Sequence, residues 1–216
     1  NGGLYTVRLD VTNGLGERAT LSRTNYIFAN LPHYVATNGA HISPFISWAN
    51  AATNLAAALA VTENDGSIFV TNGIHIVRSE LVVTQRVRIS SMNGPTSTVL
   101  RGLGTSRLFR IRSGVTLAGF TLRDGVSTGT AEFAHGGAVY LDAGGLVTNC
   151  ILTANRSGGY GGGAYLAFGG EVTHSVIHTN RAQLGGGLAA YNGGLVYTCY
   201  ISTNVALDRG GGAYLY

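Results

Sequence analysis

The chain opens on an alternation. Tyr5, Val7, Leu9 and Val11 are apolar, and Thr6, Arg8 and Asp10 between them are polar. A period of two is that of a half-buried strand. Asn13-Gly14 is a hairpin turn signal, and a second strand is expected around Ala19–Phe28. Residues 30–46, with Pro32 and Pro44, read as a linker. The period then changes. Trp48, Ala51, Ala52, Leu55 and Leu59 fall on one stripe of a helix, and Ser47 is a suitable N-cap. This helix is predicted near 47–61, ending before Asn64-Asp65-Gly66.

From Ser67 short strands recur between turns, as in GSIFVTNG, SRLFRIRSG and VTLAGFTLRDG. From Gly119 the repeat becomes explicit. Gly137-Ala138, Gly163-Ala164, Gly187-Leu188 and Gly212-Ala213 stand 26, 24 and 25 residues apart. Asn155, Asn180 and Asn204 are 25 and 24 apart, and Cys150, Ser175 and Cys199 share that spacing. A period in the twenties means stacked units, none able to bury its apolar side alone. The LxxLxL signature of leucine-rich repeats is missing. The predicted fold is all-β: a right-handed parallel β-helix, or solenoid, over 31–216, with two or three strands per coil. The helix near 47–61 would cap it, because a first coil otherwise exposes a strand edge and an apolar floor.

Stacked coils lie roughly 4.8 Å apart, so equivalent side chains pile up. Asn155, Asn180 and Asn204 are expected to form a structural amide ladder, and Leu152, Ile177 and Ile201 an aliphatic stack. Ala164-Tyr165-Leu166 and Ala213-Tyr214-Leu215 would put Ala and Leu on one face and Tyr on the other. Cys150 and Cys199, two coils apart, would be about 9–10 Å from each other. That is beyond disulfide reach, so two free inward thiols are expected.

The paired motifs GGAVYL with ILTAN, GGGAYL with VIHTN, and GGGLAAY with YISTN resemble the GG[A/L/I/V] and FxxN repeats of polymorphic outer membrane proteins. Leu or Ile replaces the Phe of FxxN. Residues 34–59 resemble the entry segment of large β-helix proteins of environmental bacteria. The stretch GLYTVRLDVTNGLGERATLSRTNYIF resembles the last two strands of a PKD domain, an Ig-like sandwich. Residues 1–30 are therefore expected to be the end of such a domain. Both ends of the chain fall within a pattern, so a piece of a longer protein, truncated at the C-terminus, is expected, with further domains in the parent chain. The resemblance implies the pectin-lyase-like fold and a secreted or cell-surface, outer-membrane-associated bacterial protein, often an adhesin. It implies no catalytic residues.

Composition narrows the picture further. Charged residues make up only 11%, and the 33 glycines are about double the usual share, which suits many tight turns. All 14 basic residues are arginine, against 10 acids. No run of 18 apolar residues exists, so no transmembrane helix is expected. No CxxC or Cys/His spacing points to zinc, and no nucleic-acid module accompanies the arginines.

Candidate chemistry follows from the stacking. Tyr140, Tyr165, Tyr191 and Tyr214 are near-equivalent across coils. Turned outward, they would form an aromatic row able to stack on sugar rings; the alternative is a packed turn or lateral contact. Arg110 and Arg112 alternate with Ile111, as Arg86 and Arg88 do with Val87, and no acid stands between Arg86 and Asp124. Such arginines suit an acidic polysaccharide, or else a solvated outer face. The acids of the repeat region are Asp124, Glu132, Asp142, Glu171 and Asp208. The weak catalytic candidates are Asp142, with Phe168 and Asn192 at comparable places in the next coils, and Glu171, with Leu146 and Leu195. No stacked pair of carboxylates is seen, so no catalytic residue is expected. His174 and His178, if on one strand, would be about 13 Å apart, too far for one metal. Three functions are compatible: a non-catalytic adhesion or glycan-binding stalk, the preferred expectation; a polysaccharide lyase or glycoside hydrolase; or a structural spacer. No cofactor is expected, calcium entering only with a lyase.

Overall fold

The structure is a computed structural model and describes residues 3–216. Strands Gly3–Thr12 and Arg18–Ala29 form an antiparallel ribbon in which Leu9 faces Leu21 and Val11 faces Ala19. Asn13-Gly14 opens the turn, but the loop is five residues long rather than two. Asn13 closes it: its backbone N–H donates to Glu17 O at 2.9 Å, and its side-chain oxygen accepts from Leu15 N and Glu17 N.

The remainder is a parallel β-solenoid of about six turns. Three main sheets carry it. The first runs through strands 33–35, 66–70, 87–91, 115–118, 146–148, 171–173 and 195–197. The second holds 73–77, 98–102, 121–123, 151–153, 176–178 and 200–202. The third holds 81–83, 109–112, 139–143, 164–166, 188–190 and 213–215. A short fourth ladder, 126–127, 156–157, 181–184 and 205–209, lies between the second and third in the later turns.

Short strands alternate, and each sends one row inward. The first sheet contributes Ile68, Ile89, Leu117, Val147, Val172 and Val196 in register. The second contributes Leu100, Leu122, Leu152, Ile177 and Ile201, so the expected aliphatic stack is present. The third contributes Val83, Ile111, Leu141, Leu166 and Ala190, with Leu215 in register on the last coil but 69% exposed. Each fully buried Leu or Ile stabilises the fold by about 1.5–3 kcal/mol, so the core is a sum of rungs.

Corners between sheets need a left-handed residue. Between the first and second sheets it is Gly119, then Asn149, His174 and Thr198, all with positive φ. His174 therefore sits at a corner and His178 on the next strand, so the reading that set both on one strand is corrected. Before the last four strands of the third sheet the corner is glycine: Gly136, Gly161, Gly185 and Gly210. A Cβ on Gly161 would lie 2.0 Å from Ala164 O, so only glycine fits.

Register corrects the glycine alignment. Ala138, not Gly137, stands level with Gly163, because Val139 pairs with Ala164 and then with Leu188. The spacings are thus 25 and then 24. A run of glycines has no side chain by which register can be read.

The asparagine ladder is present between the second sheet and the fourth ladder. Asn180 Nδ2 donates to Leu152 O at 2.9 Å and to Asn204 Oδ1 at 3.0 Å, and its Oδ1 accepts from Asn155 N at 3.0 Å. Asn155 repeats this one coil earlier, donating to Leu122 O and accepting from Gly125 N. Both cysteines are free, Cys150 buried and Cys199 partly so. Ser175 lies between them and accepts from Cys150 N at 3.1 Å.

The capping helix is shorter than predicted. It spans Leu55–Val61, and its N-cap is Asn54, whose side chain accepts from Ala57 N at 2.9 Å; Ser47 is not the cap. Phe45 and Ala52 meet the edge of strand 33–35 instead, and residues 49–51 between them accept from the backbone of 40–42. Tyr34 N donates to Phe45 O, Ala52 N to Tyr34 O, and Ala36 N to Ala52 O, all within 2.9 Å. The first strand's open edge needs hydrogen-bond partners, and that need overrides the helical propensity of the alanines. Ala51, Ala52, Leu55 and Leu59 are buried as the stripe expected, whereas Trp48 is 39% exposed.

Candidate functional site

The outward side of the third sheet gathers most of the singled-out residues. One column is Val82, Arg110, Tyr140, Tyr165, Ala189 and Tyr214. Tyr191 is not in it; Ala189 holds that place. Tyr191 belongs to the next outward column, Asp142, Ala167, Tyr191 and Tyr216. Backbone bonds fix this level: Ala167 N to Leu141 O, Tyr191 N to Leu166 O, and Tyr216 N to Ala190 O. The residues level with Asp142 are therefore Ala167 and Tyr191, not Phe168 and Asn192.

Tyr140 and Tyr165 are only 5% and 4% exposed, so the expected open row of tyrosines does not exist in that form. Residues next to the corner glycines cover them. His135 and Tyr160, 25 apart, lie one residue before Gly136 and Gly161. The His135 ring is 4.8 Å from Tyr165 and 4.7 Å from Tyr160, and Tyr160 stacks 5.9 Å from Tyr165 and 6.2 Å from Tyr214. Tyr160 N donates to His135 Nδ1 at 3.2 Å, which fixes that nitrogen as an acceptor. On the other flank the Arg107 and Arg110 guanidiniums lie 4.9 and 5.3 Å from the Tyr140 ring. This is cation–π range.

The small side chains of Ala167 and Ala189 leave room above them. Tyr216 fills part of it, its hydroxyl 2.9 Å from that of Tyr165. Burial, reinforced by this contact, pushes the Tyr165 phenol well above the ordinary tyrosine range; burial also raises Tyr216. Both phenols are neutral at physiological pH. What reaches solvent is a second tier of rings: Phe168 at 57%, Tyr191 at 37% and Tyr216 at 46% exposure. Tyr191 meets Phe168 edge-on at 5.8 Å and Tyr216 at 4.9 Å, and Tyr216 lies 5.1 Å from Tyr160. The rings support one another and are pre-ordered.

The same column ends in charge. Asp142 is held by Arg110 Nη2 at 3.1 Å and Arg112 Nη2 at 3.0 Å. Two guanidiniums on one carboxylate leave a local charge of +1 beside the aromatic tier. The other arginines of the acid-free stretch are spread over all three sheets. Arg86 pairs with Asp65, Arg107 with Glu80, and Arg101 and Arg123 with Asp124. Asp65, Glu80 and, for Arg101, Asp124 belong to neighbouring coils, while Arg123 pairs with the adjacent Asp124, so the stretch does not make a single basic face.

Glu171 lies on the first sheet, away from Asp142 on the third. It is level with Leu146 and Leu195, as expected, and accepts from the Tyr197 hydroxyl at 3.5 Å. The two weak catalytic candidates are thus not brought together as a pair. The side chain of Glu132 lies outside the described residues. His178 is level with Thr153 and Ser202 and contacts Thr179 Oγ1 at 2.9 Å. Among the described residues, no group of three or more His, Cys, Asp or Glu is placed to hold a metal, and no helix is long and apolar enough to cross a membrane.

Phe168, Tyr216, His135 and Tyr160 were not read as site residues from the sequence. The 25-residue interval from His135 to Tyr160 was the available signal. Compared with known proteins, the chain matches no described family, no curated protein and no solved structure.

Proposed function

We propose that this solenoid is a non-catalytic glycan-binding or adhesion stalk that takes sugar rings on the third sheet's outer side. The observation that carries this reading is the solvent-facing tier Phe168, Tyr191 and Tyr216 resting on a buried tyrosine layer. An aromatic ring offers its face to the C–H face of a sugar, and phenol hydroxyls offer donors and acceptors at its rim. Rings already held by neighbours lose little entropy on binding. Asp142 with Arg110 and Arg112 gives this surface one polar, net-positive end, suited to a carboxylated sugar unit. Hydrolysis on such a surface would need two facing carboxyl groups, and Asp142 is instead level with Ala167 and Tyr191.

The resemblance of the repeats to polymorphic outer membrane proteins, and of residues 1–30 to a PKD-like end, supports a secreted or cell-surface setting. Affinity electrophoresis through gels containing neutral or acidic polysaccharides tests the reading. Replacing Phe168 and Tyr191 together by alanine should weaken retardation at least about tenfold, the worth of one or two stacking contacts. Unchanged retardation would remove the aromatic tier as the binding surface. Tyr165 is too buried to serve as a contact test; its truncation reads out packing.

A further inference from the structure

A depression lies at the capped end of the solenoid, far in sequence from the aromatic tier. It has a volume of about 700 Å³ and is assembled from three segments, near residues 37–48, 71–72 and 92–93. Trp48 forms one wall. Its ring meets Tyr34 edge-on at 4.4 Å, and Tyr34 in turn lies 6.0 Å from Phe69. The indole is held in place while 39% of the residue remains exposed. Met92, also exposed, adds apolar surface. The rest of the lining is hydroxyl and amide: Thr37, Asn38, Asn72 and Asn93 among others, with no charged residue. Asn93 Nδ2 donates to Asn72 Oδ1 at 2.8 Å. That bond orients both amides and leaves an N–H group on Asn72 and a carbonyl on Asn93 for a ligand.

An oriented indole beside paired amides and hydroxyls, without charge, matches one ligand chemistry. The apolar face of a sugar ring stacks on the indole, and its vicinal hydroxyls pair with amides that both donate and accept. The backbone bonds that close the edge of strand 33–35 come from Phe45 and Ala52 and do not involve the Trp48 side chain. We infer that this depression is a binding site for a neutral saccharide, centred on Trp48 with Asn72 and Asn93 as its polar contacts. It deepens the glycan-binding reading but rests on different residues.

The test uses the protein's lone tryptophan. Trp48 emission is followed while cellohexaose, maltohexaose or mannohexaose is titrated in, with a neutral peptide in a parallel arm. At least one sugar should shift the emission saturably, with little dependence on salt. Asn93→Ala keeps the fluorophore and should raise the dissociation constant about tenfold. Trp48→Ala, checked for an unchanged melting profile, should abolish the same binding measured by calorimetry. Phe168→Ala with Tyr191→Ala should leave the emission response intact, so failure of the aromatic tier and failure of this site are separable. No response to any sugar up to its solubility limit, or a response to the peptide alone, would overturn the inference.

Discussion

Asn180→Ala is the perturbation that probes the ladder most sharply. Asn180 is buried, and its side chain serves both neighbours. Nδ2 donates to Leu152 O at 2.9 Å; Oδ1 accepts from the backbone N–H of Asn155 at 3.0 Å. Truncation leaves that carbonyl and that N–H without these partners, in places shielded by the coils above and below. Each buried orphan costs about 1–3 kcal/mol, so the loss should be about 2–6 kcal/mol. Against a typical stability of about 5–15 kcal/mol, this is a large fraction. Asn204 has one exposed flank, and water can replace its bonds there, so Asn204→Ala should cost clearly less. Urea unfolding followed by far-ultraviolet circular dichroism measures both. Solenoids add their stability coil by coil, so Asn180→Ala should also broaden the transition. A loss below about 1 kcal/mol for Asn180→Ala, or equal losses at the two positions, would refute the idea that the ladder satisfies buried backbone groups.

Other outcomes follow from named contacts. Burial pushes the Cys150 thiol up to about 11. Its folded value lies above its unfolded one, so its share of stability is full below about pH 9 and is lost as pH rises toward 11; Cys150→Ala should flatten that part of the pH–stability curve relative to the parent. Iodoacetamide at mildly alkaline pH should label the part-exposed Cys199 before Cys150, read by mass spectrometry. Thr198 is a β-branched residue held at a φ of 53° where the equivalent corner one coil earlier than His174 is Asn149; Thr198→Asn should raise stability by about 0.5–1 kcal/mol in thermal unfolding. Asp142→Asn releases Arg110 and Arg112 from their carboxylate, so retention on an acidic polysaccharide should rise and become more sensitive to salt.

The repeat was legible because stacking demands it. Positions that face inward at a fixed interval, such as Leu152, Ile177 and Ile201, or Asn155, Asn180 and Asn204, carry the register in their side chains. The cysteines were legible for the same reason. Legibility failed where the register marker was a glycine run, which placed Gly137 one residue early. It failed again where an aromatic identity was followed instead of a level. In GGGLAAYN the tyrosine has moved to the next outward place, two residues on and just past the strand's end, so Tyr191 joined the wrong column. The capping segment misled because the alanine-rich stretch 47–61 has helical propensity throughout, yet its first half meets an unsatisfied strand edge. The depression around Trp48 was invisible in the sequence, since three segments meet there only through the solenoid's turns.

Retention and cleavage measured together on one panel of neutral and acidic polysaccharides, with calcium present, test the central claim most directly. Retention without any rise in reducing or unsaturated ends, weakened by Phe168→Ala with Tyr191→Ala, is the expected result. Chain cleavage abolished by Asp142→Asn or Glu171→Gln would contradict a non-catalytic glycan-binding solenoid and make it an enzyme.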